Sequence, residues 1–510
     1  MHSPMILAVA SPATFDTSDY VTLAIYFAIN IGIGWWFSRR NKTSGDYFLG
    51  SGKIPWWAAG ISFSATGISS ISFMALPAKT YQEDWLSFGS SPAQVLATII
   101  VALVFVGILR RLNMTTIFDY LQRRFDHRVR YLGAVLAVLL KVFGRMSVVM
   151  LLPALAISTV SGLNVYVSIA LMGVVTIIYS MVGGFAAVIW TDVLQVAVML
   201  GGIAVAFWCL AAGVPGGIAG VVREAASDEK LRMISWDLDL STPTVWVFLC
   251  MVWASVFTQL GDQPLMQRVF ATKDERAARD SLLLAAGMGL PIAIIFFFIG
   301  TALYVFYKLH QGSLAAGIPN DAIFPFFIVN QMPHGVVGLL LASLFASAMG
   351  ALSSALNSAS AIVVSDLYEP FHTGMSEREK VRCGRIATLV CGLVSTGMAA
   401  WIASLGVPSL WDQFMKLIAL VGGGFPGVFA LGLLTRRANA RGVITGALAS
   451  IAITWWAQNY TTASVFFHGF IAISSCMVVG YLASLLFGGR DRTKNLRGLT
   501  MWDPRAGQNT

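Results

Sequence analysis

The sequence predicts an all-α membrane protein with about thirteen transmembrane helices. Three observations predict it. Apolar residues make up 56% of the 510 and charged residues only 12%, about half the share of roughly 25% in soluble domains. Apolar runs long enough to cross a bilayer follow one another with short gaps. Those runs are continuous, without the period-2 alternation of a transmembrane barrel. The low charge also excludes a disordered chain.

The runs lie at roughly 18–37, 54–77, 85–109, 129–160, 164–182, 186–212, 243–265, 281–308, 335–366, 383–405, 412–434, 440–457 and 465–487. Lys and Arg between them are divided unevenly. Loops at 39–53, 110–130, 268–279, 378–385, 436–441 and 490–497 hold twenty-five, and the opposite loops hold five. This bias predicts an outside N-terminus and a cytoplasmic C-terminus, which requires an odd number of spans. It also explains the net charge of +9 without nucleic acid. Residues 1–17 are expected to be an extracytoplasmic tail, 18–487 one polytopic transporter domain and 488–510 a cytoplasmic tail. Ala-Val-Ala at 8–10 offers a cleavage site, but no basic segment precedes it.

Five Cys without a CxxC argue against a disulfide framework or metal knuckle. The six His form no HExxH pair. Gly422 to Gly427 lacks the Lys-Ser/Thr of a phosphate loop. No nucleophile–base pair emerges, so no enzyme is expected.

Polar groups inside the runs carry the chemistry. In Ala65-Thr66-Gly67-Ile68-Ser69-Ser70-Ile71-Ser72 small residues cluster mid-span. The helix either unwinds there, freeing carbonyls for a cation, or packs closely on a neighbour. Asp192 lies within an apolar run, where a carboxylate costs about 2.5–3.5 kcal/mol and needs a cation or base. Ser347, Ser354 and Ser358 share one helix face, offering hard oxygens to sodium or room for close packing. Lys141 and Arg145 are four apart, so they share a face. Arg145 suits bidentate carboxylate capture. It is either free for an incoming acid or tied to an internal Asp, with Asp192 and Asp262 the candidates. Asp412 and Lys416 can satisfy each other.

Three segments resemble the sodium/solute symporters. Gly183 to Gln195 is similar to that family's signature ending in Thr-Asp-x-x-Gln. Asp262-Gln263-Pro264-Leu265-Met266-Gln267-Arg268 is similar to its second signature, and Asn357-Ser358 through Asp366-Leu367-Tyr368 to its eighth core helix. The resemblance spans about residues 15–490. It implies a leucine-transporter-like fold of two inverted five-helix repeats over about 54–434, with one helix before and two after. Within the family, Ser72 to Tyr81 and Gly144-Arg145-Met146-Ser147 resemble bacterial sialic acid symporters. That implies a sodium-driven importer of a carboxylated sugar in the cytoplasmic membrane, functional as a monomer. Arg145 would grip the carboxylate, with Ser69, Ser72, Gly67, Phe88 and Gln94 around the sugar.

The resemblance implies a principal sodium site at the carbonyls of Ala65, Ile68 and Ser347. Two hydroxyls expected there fall on Gly350 and Ala351, a departure. An accessory site would use Asp192, Ser353 and Ser354, so one or two Na+ ions are expected. A neutral sugar, an amino acid or a small monocarboxylate is the rival cargo, and a transporter-like sensor a remoter rival.

Overall fold

A computed structural model describes residues 16–68, 70–314, 317–333, 335–372, 374–405, 423–488 and 496–502. Ser69, the Asp412/Lys416 pair, Gly422, most of the N-terminal tail and much of the C-terminal tail fall outside the described residues.

Every named element among the described residues is helical. Among the described residues, eight helices are long and apolar enough to cross a membrane, or ten when two bent pairs each count as one. The first is Thr17–Ser38, opened by a capping box between Asp16 and Asp19, which satisfies end N–H groups that lipid cannot. At its far end Arg39 stacks on Trp35, 4.3 Å from the ring centroid. Trp and Arg together mark a membrane–water interface.

The two bent pairs are the first helices of the two expected five-helix repeats. Trp56–Gly67 meets the next half at 54°, and Val245–Gly261 meets Gln263–Phe270 at 66°. The first break follows Gly67, where Ile68 takes an extended conformation (φ −93°, ψ 102°). Its carbonyl turns out of the helical ladder. The second falls on Asp262 (φ −96°, ψ 107°), and Pro264 opens the following half-helix. Proline is tolerated there because the first-turn N–H groups have no intrahelical acceptor.

The apolar runs 164–182 and 186–212 form one stretch, Val165–Ala212, broken at Gly184 (φ 62°, ψ −160°). Only glycine adopts that conformation without strain. A Cβ at Gly184 would also lie 2.9 Å from the Tyr47 carbonyl. The break gives Asp192 its own helix, separate from the segment before it.

Val336–Ile362 is the most enclosed of the candidate spans, with nearly all of its residues buried. It packs against Val165–Ala212, Thr17–Ser38 and Met146–Ser161. Small residues such as Ala346, Gly350, Ser354 and Ser358 permit this, because backbones approach closely only where side chains are short. Beside it, Leu140–Arg145 forms a π-helical turn. Such a turn frees a carbonyl, here that of Val142, which accepts the hydroxyls of Ser147 at 3.2 Å and Ser395 at 3.0 Å. Lys141 and Arg145 both lie on this turn.

Many large apolar side chains face outward, among them Leu103, Trp208 and Leu482. In lipid such a surface carries no penalty, since the tails are as apolar as leucine.

Candidate functional site

The two breaks and the π turn meet at Arg145. Its Nη1 lies 3.4 Å from Asp262 Oδ2, and its Nη2 donates to the Thr66 carbonyl at 3.3 Å. Lys141 Nζ lies 2.8 Å from Asp262 Oδ1. Of the two states open for Arg145, free or tied to an internal Asp, the structure shows the second, with Asp262 as the partner. Without ligand the guanidinium takes the carboxylate that the second break exposes. The contact is loose, and the Arg145 side chain remains 33% exposed. Gly67, at the first break, is exposed and faces open space. The guanidinium thus borders an opening between the half-helices.

A second cluster lies deeper. Asp192 Oδ2 accepts from Arg268 Nη2 at 2.7 Å, and both side chains are almost wholly buried. Ser62 donates its hydroxyl to the same carboxylate oxygen. Arg268 also donates to Ser62 Oγ at 2.7 Å, to Ser354 Oγ at 2.5 Å and to the Pro264 carbonyl at 2.6 Å. Thr66 Oγ1 and Ser354 Oγ are 3.1 Å apart. A buried ion pair survives in this setting because added hydrogen bonds offset its desolvation.

The pair leaves oxygen atoms over. Asp192 Oδ1 and Gln195 Oε1 are buried without a hydrogen-bond donor. Ser353 donates to the Gly350 carbonyl at 3.2 Å, and its hydroxyl also lies within reach of Asp192. The Gln195 amide nitrogen donates to Asn30 Oδ1 at 3.2 Å. A Cβ added at Gly350 would lie 2.9 Å from Gln195 Oε1 and 3.6 Å from Asp192 Oδ1. Glycine there therefore keeps a gap between two bare acceptors. Neutral and anionic oxygens without donors are what a hard cation needs.

The remaining expected residues are less closely joined. Ala65 is buried and Ile68 half-buried at the first break. Ser347 donates its hydroxyl to the Leu344 carbonyl at 2.8 Å, which leaves its own carbonyl as the group expected to hold sodium. Ser72 is half-buried in Ser70–Gln82. Phe88 packs edge-on to Phe297 with centroids 5.2 Å apart. Gln94 is exposed on Ser90–Ile100. Among the described residues, no hydrogen bond or ion pair links Ser72, Phe88 or Gln94 to Arg145.

Arg268 is the residue that sequence reasoning misplaced. The sequence places it in the basic loop 268–279, yet it is 1% exposed. Arg124 likewise is 3% exposed and donates to the carbonyls of Gly432, Thr435 and Ala438. For Arg268 the available signal was the apolar Leu265, Met266, Val269 and Phe270 around it.

Comparison with known proteins bears on this geometry. The profile described as Sodium:solute symporter family matches residues 47–450. The sodium/sialic acid symporter NanT of Aliivibrio fischeri is 34% identical over 93% of this chain and 94% of its own. The sodium/sialic acid symporter SiaT of Proteus mirabilis is 35% identical over 93% of this chain and 96% of its own. The human sodium/iodide cotransporter is 29% identical over 87% of this chain and 70% of its own. A solved structure of a Na+-coupled sialic acid symporter, substrate-bound and outward-open, superposes with a TM-score of 0.86. It is 33% identical, over 94% of this chain and all of that one. The nucleobase-cation symporter Mhp1, 14% identical with a TM-score of 0.54 over 86% of this chain and 94% of its own, shares the fold. An all-helical membrane transporter with these signatures, this fold and these relatives, the chain belongs to the sodium:solute symporter family.

Proposed function

We propose that the protein imports a carboxylated sugar, sialic acid, across the bacterial cytoplasmic membrane, driven by inward sodium flow. The carrying observation is Arg145, a one-third-exposed guanidinium held at the meeting point of two broken helices. A fork of two N–H donors matches a carboxylate in geometry and charge. The sialic acid relatives support the same cargo.

The sugar acid displaces the loose Asp262 contact and takes both Nη groups of Arg145. Ser69, Ser72 and the open side of Gly67 orient it, and Phe88 and Gln94 close on it from the neighbouring helix. Sodium, as co-transported cargo, enters the gap of bare oxygens at Asp192 and Gln195, beside Ser353 and Ser354. A second, weaker sodium sits at the carbonyls of Ala65, Ile68 and Ser347, where Gly350 and Ala351 bring no hydroxyl. The two repeats rock about these midplane sites, opening to either side in turn.

Energetics favour two ions. A tenfold sodium gradient supplies about 1.4 kcal/mol per ion, and 100 mV about 2.3 kcal/mol per net charge. One sodium with a monoanion moves no net charge and accumulates cargo only about tenfold. Two sodiums with a monoanion yield about 5.1 kcal/mol, several-thousandfold.

The proposed topology has thirteen spans, an outside N-terminus, a cytoplasmic C-terminus and a core of about residues 54–434 that works as a monomer without enzymatic activity. The Arg145–Asp262 contact favours one second reading. If that pair is permanent, the cargo is a neutral sugar, an amino acid or a small monocarboxylate. Uptake by purified protein in liposomes, with the sugar acid and its methyl ester as competitors, separates the two. The acid alone competes if Arg145 anchors it, and both compete equally if it does not.

A further inference from the structure

We propose that Lys141 sets the preference for a singly charged anion, by retaining Asp262 so that Arg145 can be released to the substrate carboxylate. The inference rests on the reading of Arg145 as the carboxylate anchor.

Asp262 is shared unequally. Lys141 meets Oδ1 at 2.8 Å, with its side chain 12% exposed. Arg145 meets Oδ2 at 3.4 Å, with its side chain 33% exposed. The lysine contact has the length of a charge-assisted hydrogen bond, and the arginine contact lies beyond the usual range for N–H···O. Arg145 also uses only one nitrogen on Asp262, because Nη2 donates to the Thr66 carbonyl. An incoming carboxylate offers both of its oxygens, so it outcompetes Asp262 for the fork. Lys141, the more enclosed and closer partner, has no comparable reason to leave.

Charge balance gives the same answer. Lys141 and Arg145 carry two positive charges against one on Asp262. The buried pair of Arg268 with Asp192, 2.7 Å apart, is neutral as a unit. The cluster therefore holds a surplus of one positive charge at a half-buried place, which one cargo carboxylate balances. When Arg145 turns to that cargo, Lys141 keeps Asp262 from becoming a bare carboxylate, a costly state at such depth. Without the lysine charge, Asp262 holds Arg145 for itself and the surplus disappears. Lys141 is thus a positioning residue that acts through Asp262. The π turn Leu140–Arg145 carries both cations and lets them approach one carboxylate.

The test uses the full chain in liposomes under an inward sodium gradient, with initial uptake of labelled sialic acid and competition by its methyl ester. Lys141→Met is expected to raise KM by about tenfold or more while kcat changes far less, and to erase the preference for acid over ester. Lys141→Arg is expected to keep both near wild type. Lys141→Met combined with Asp262→Asn restores the surplus charge and should bring KM back to within about threefold of wild type. Asp262→Asn alone leaves Arg145 unopposed, so its KM should be no higher than that of wild type, and this variant carries the test should Lys141→Met fail to fold. Wild-type KM and selectivity in Lys141→Met would overturn the inference alone. So would a double variant as impaired as the single one, or a raised KM in Asp262→Asn. No uptake by wild type would overturn the cargo reading, and the inference with it.

Discussion

Asp192 and Arg268 meet at 2.7 Å with side chains 0% and 1% exposed. The two residues are 76 positions apart in sequence, and their contact ties the helix after Gly184 to Gln263–Phe270, the second half of the second broken helix. Only one carboxylate oxygen is used, so Asp192 can brace the fold and still offer Oδ1 to a cation.

Removing one partner of this pair strands a charge. Arg268→Met should cost about 3–5 kcal/mol of stability, the range for breaking a buried pair. Arg268→Met with Asp192→Asn should recover part of it. Thermal unfolding of the purified variants in detergent measures both; an unshifted Arg268→Met midpoint would show that the pair does not hold the helices together.

Asp192→Asn should raise the sodium concentration for half-maximal uptake by about tenfold, since a charged ligand becomes neutral. The check is a sodium activation curve at fixed sugar acid. An unaltered curve would remove Asp192 from the ion path.

Ala351→Ser restores a hydroxyl where the resemblance places one, at a position 4% exposed. If the missing hydroxyls weaken the second sodium, the variant should be half-activated at several-fold lower sodium and show a Hill coefficient closer to two. An unchanged activation curve and Hill coefficient would count against a second sodium at Ala65, Ile68 and Ser347.

Outside the spans, Asp228 accepts from Lys308 and the Tyr304 hydroxyl near the end of Glu275–Leu309, and these bonds hold its carboxyl below the usual range near 3.9. A depressed carboxylate stabilises the fold above its unfolded pKa, and the gain is lost as pH falls through the folded value. Asp228→Asn should therefore lower the unfolding temperature slightly at pH 7. The difference should shrink below about pH 4. A difference constant across that range would contradict the assignment.

Much of this was legible in the sequence, because lipid forces long apolar runs and leaves polar exceptions conspicuous. The small-residue segment 65–72 stood out as a place either to unwind or to pack closely, and the chain breaks there after Gly67; the glycine pair at 183 and 184 lies between two runs where the chain also breaks. Asp192 stood out as a carboxylate in a run of apolar residues. Its partner did not, because Arg268 follows a polar segment that reads as the edge of a loop. Nor did composition decide between Asp192 and Asp262 as partner for Arg145. That pairing joins residues 117 positions apart, and only the bend at Asp262 settles it. The orphan oxygens around Gly350 were equally hidden, since glycine reads there only as a lost ligand and not as retained space.

The central claim is that Arg145 anchors the carboxylate of the cargo. Its most direct test is sodium-driven uptake of labelled sialic acid into liposomes containing wild type, Arg145→Lys or Arg145→Ala, each checked for folding by thermal unfolding. The account predicts loss of uptake by about a hundredfold or more in Arg145→Ala and partial uptake in Arg145→Lys, which keeps the charge but not the fork. Wild-type uptake by a well-folded Arg145→Ala protein would contradict it.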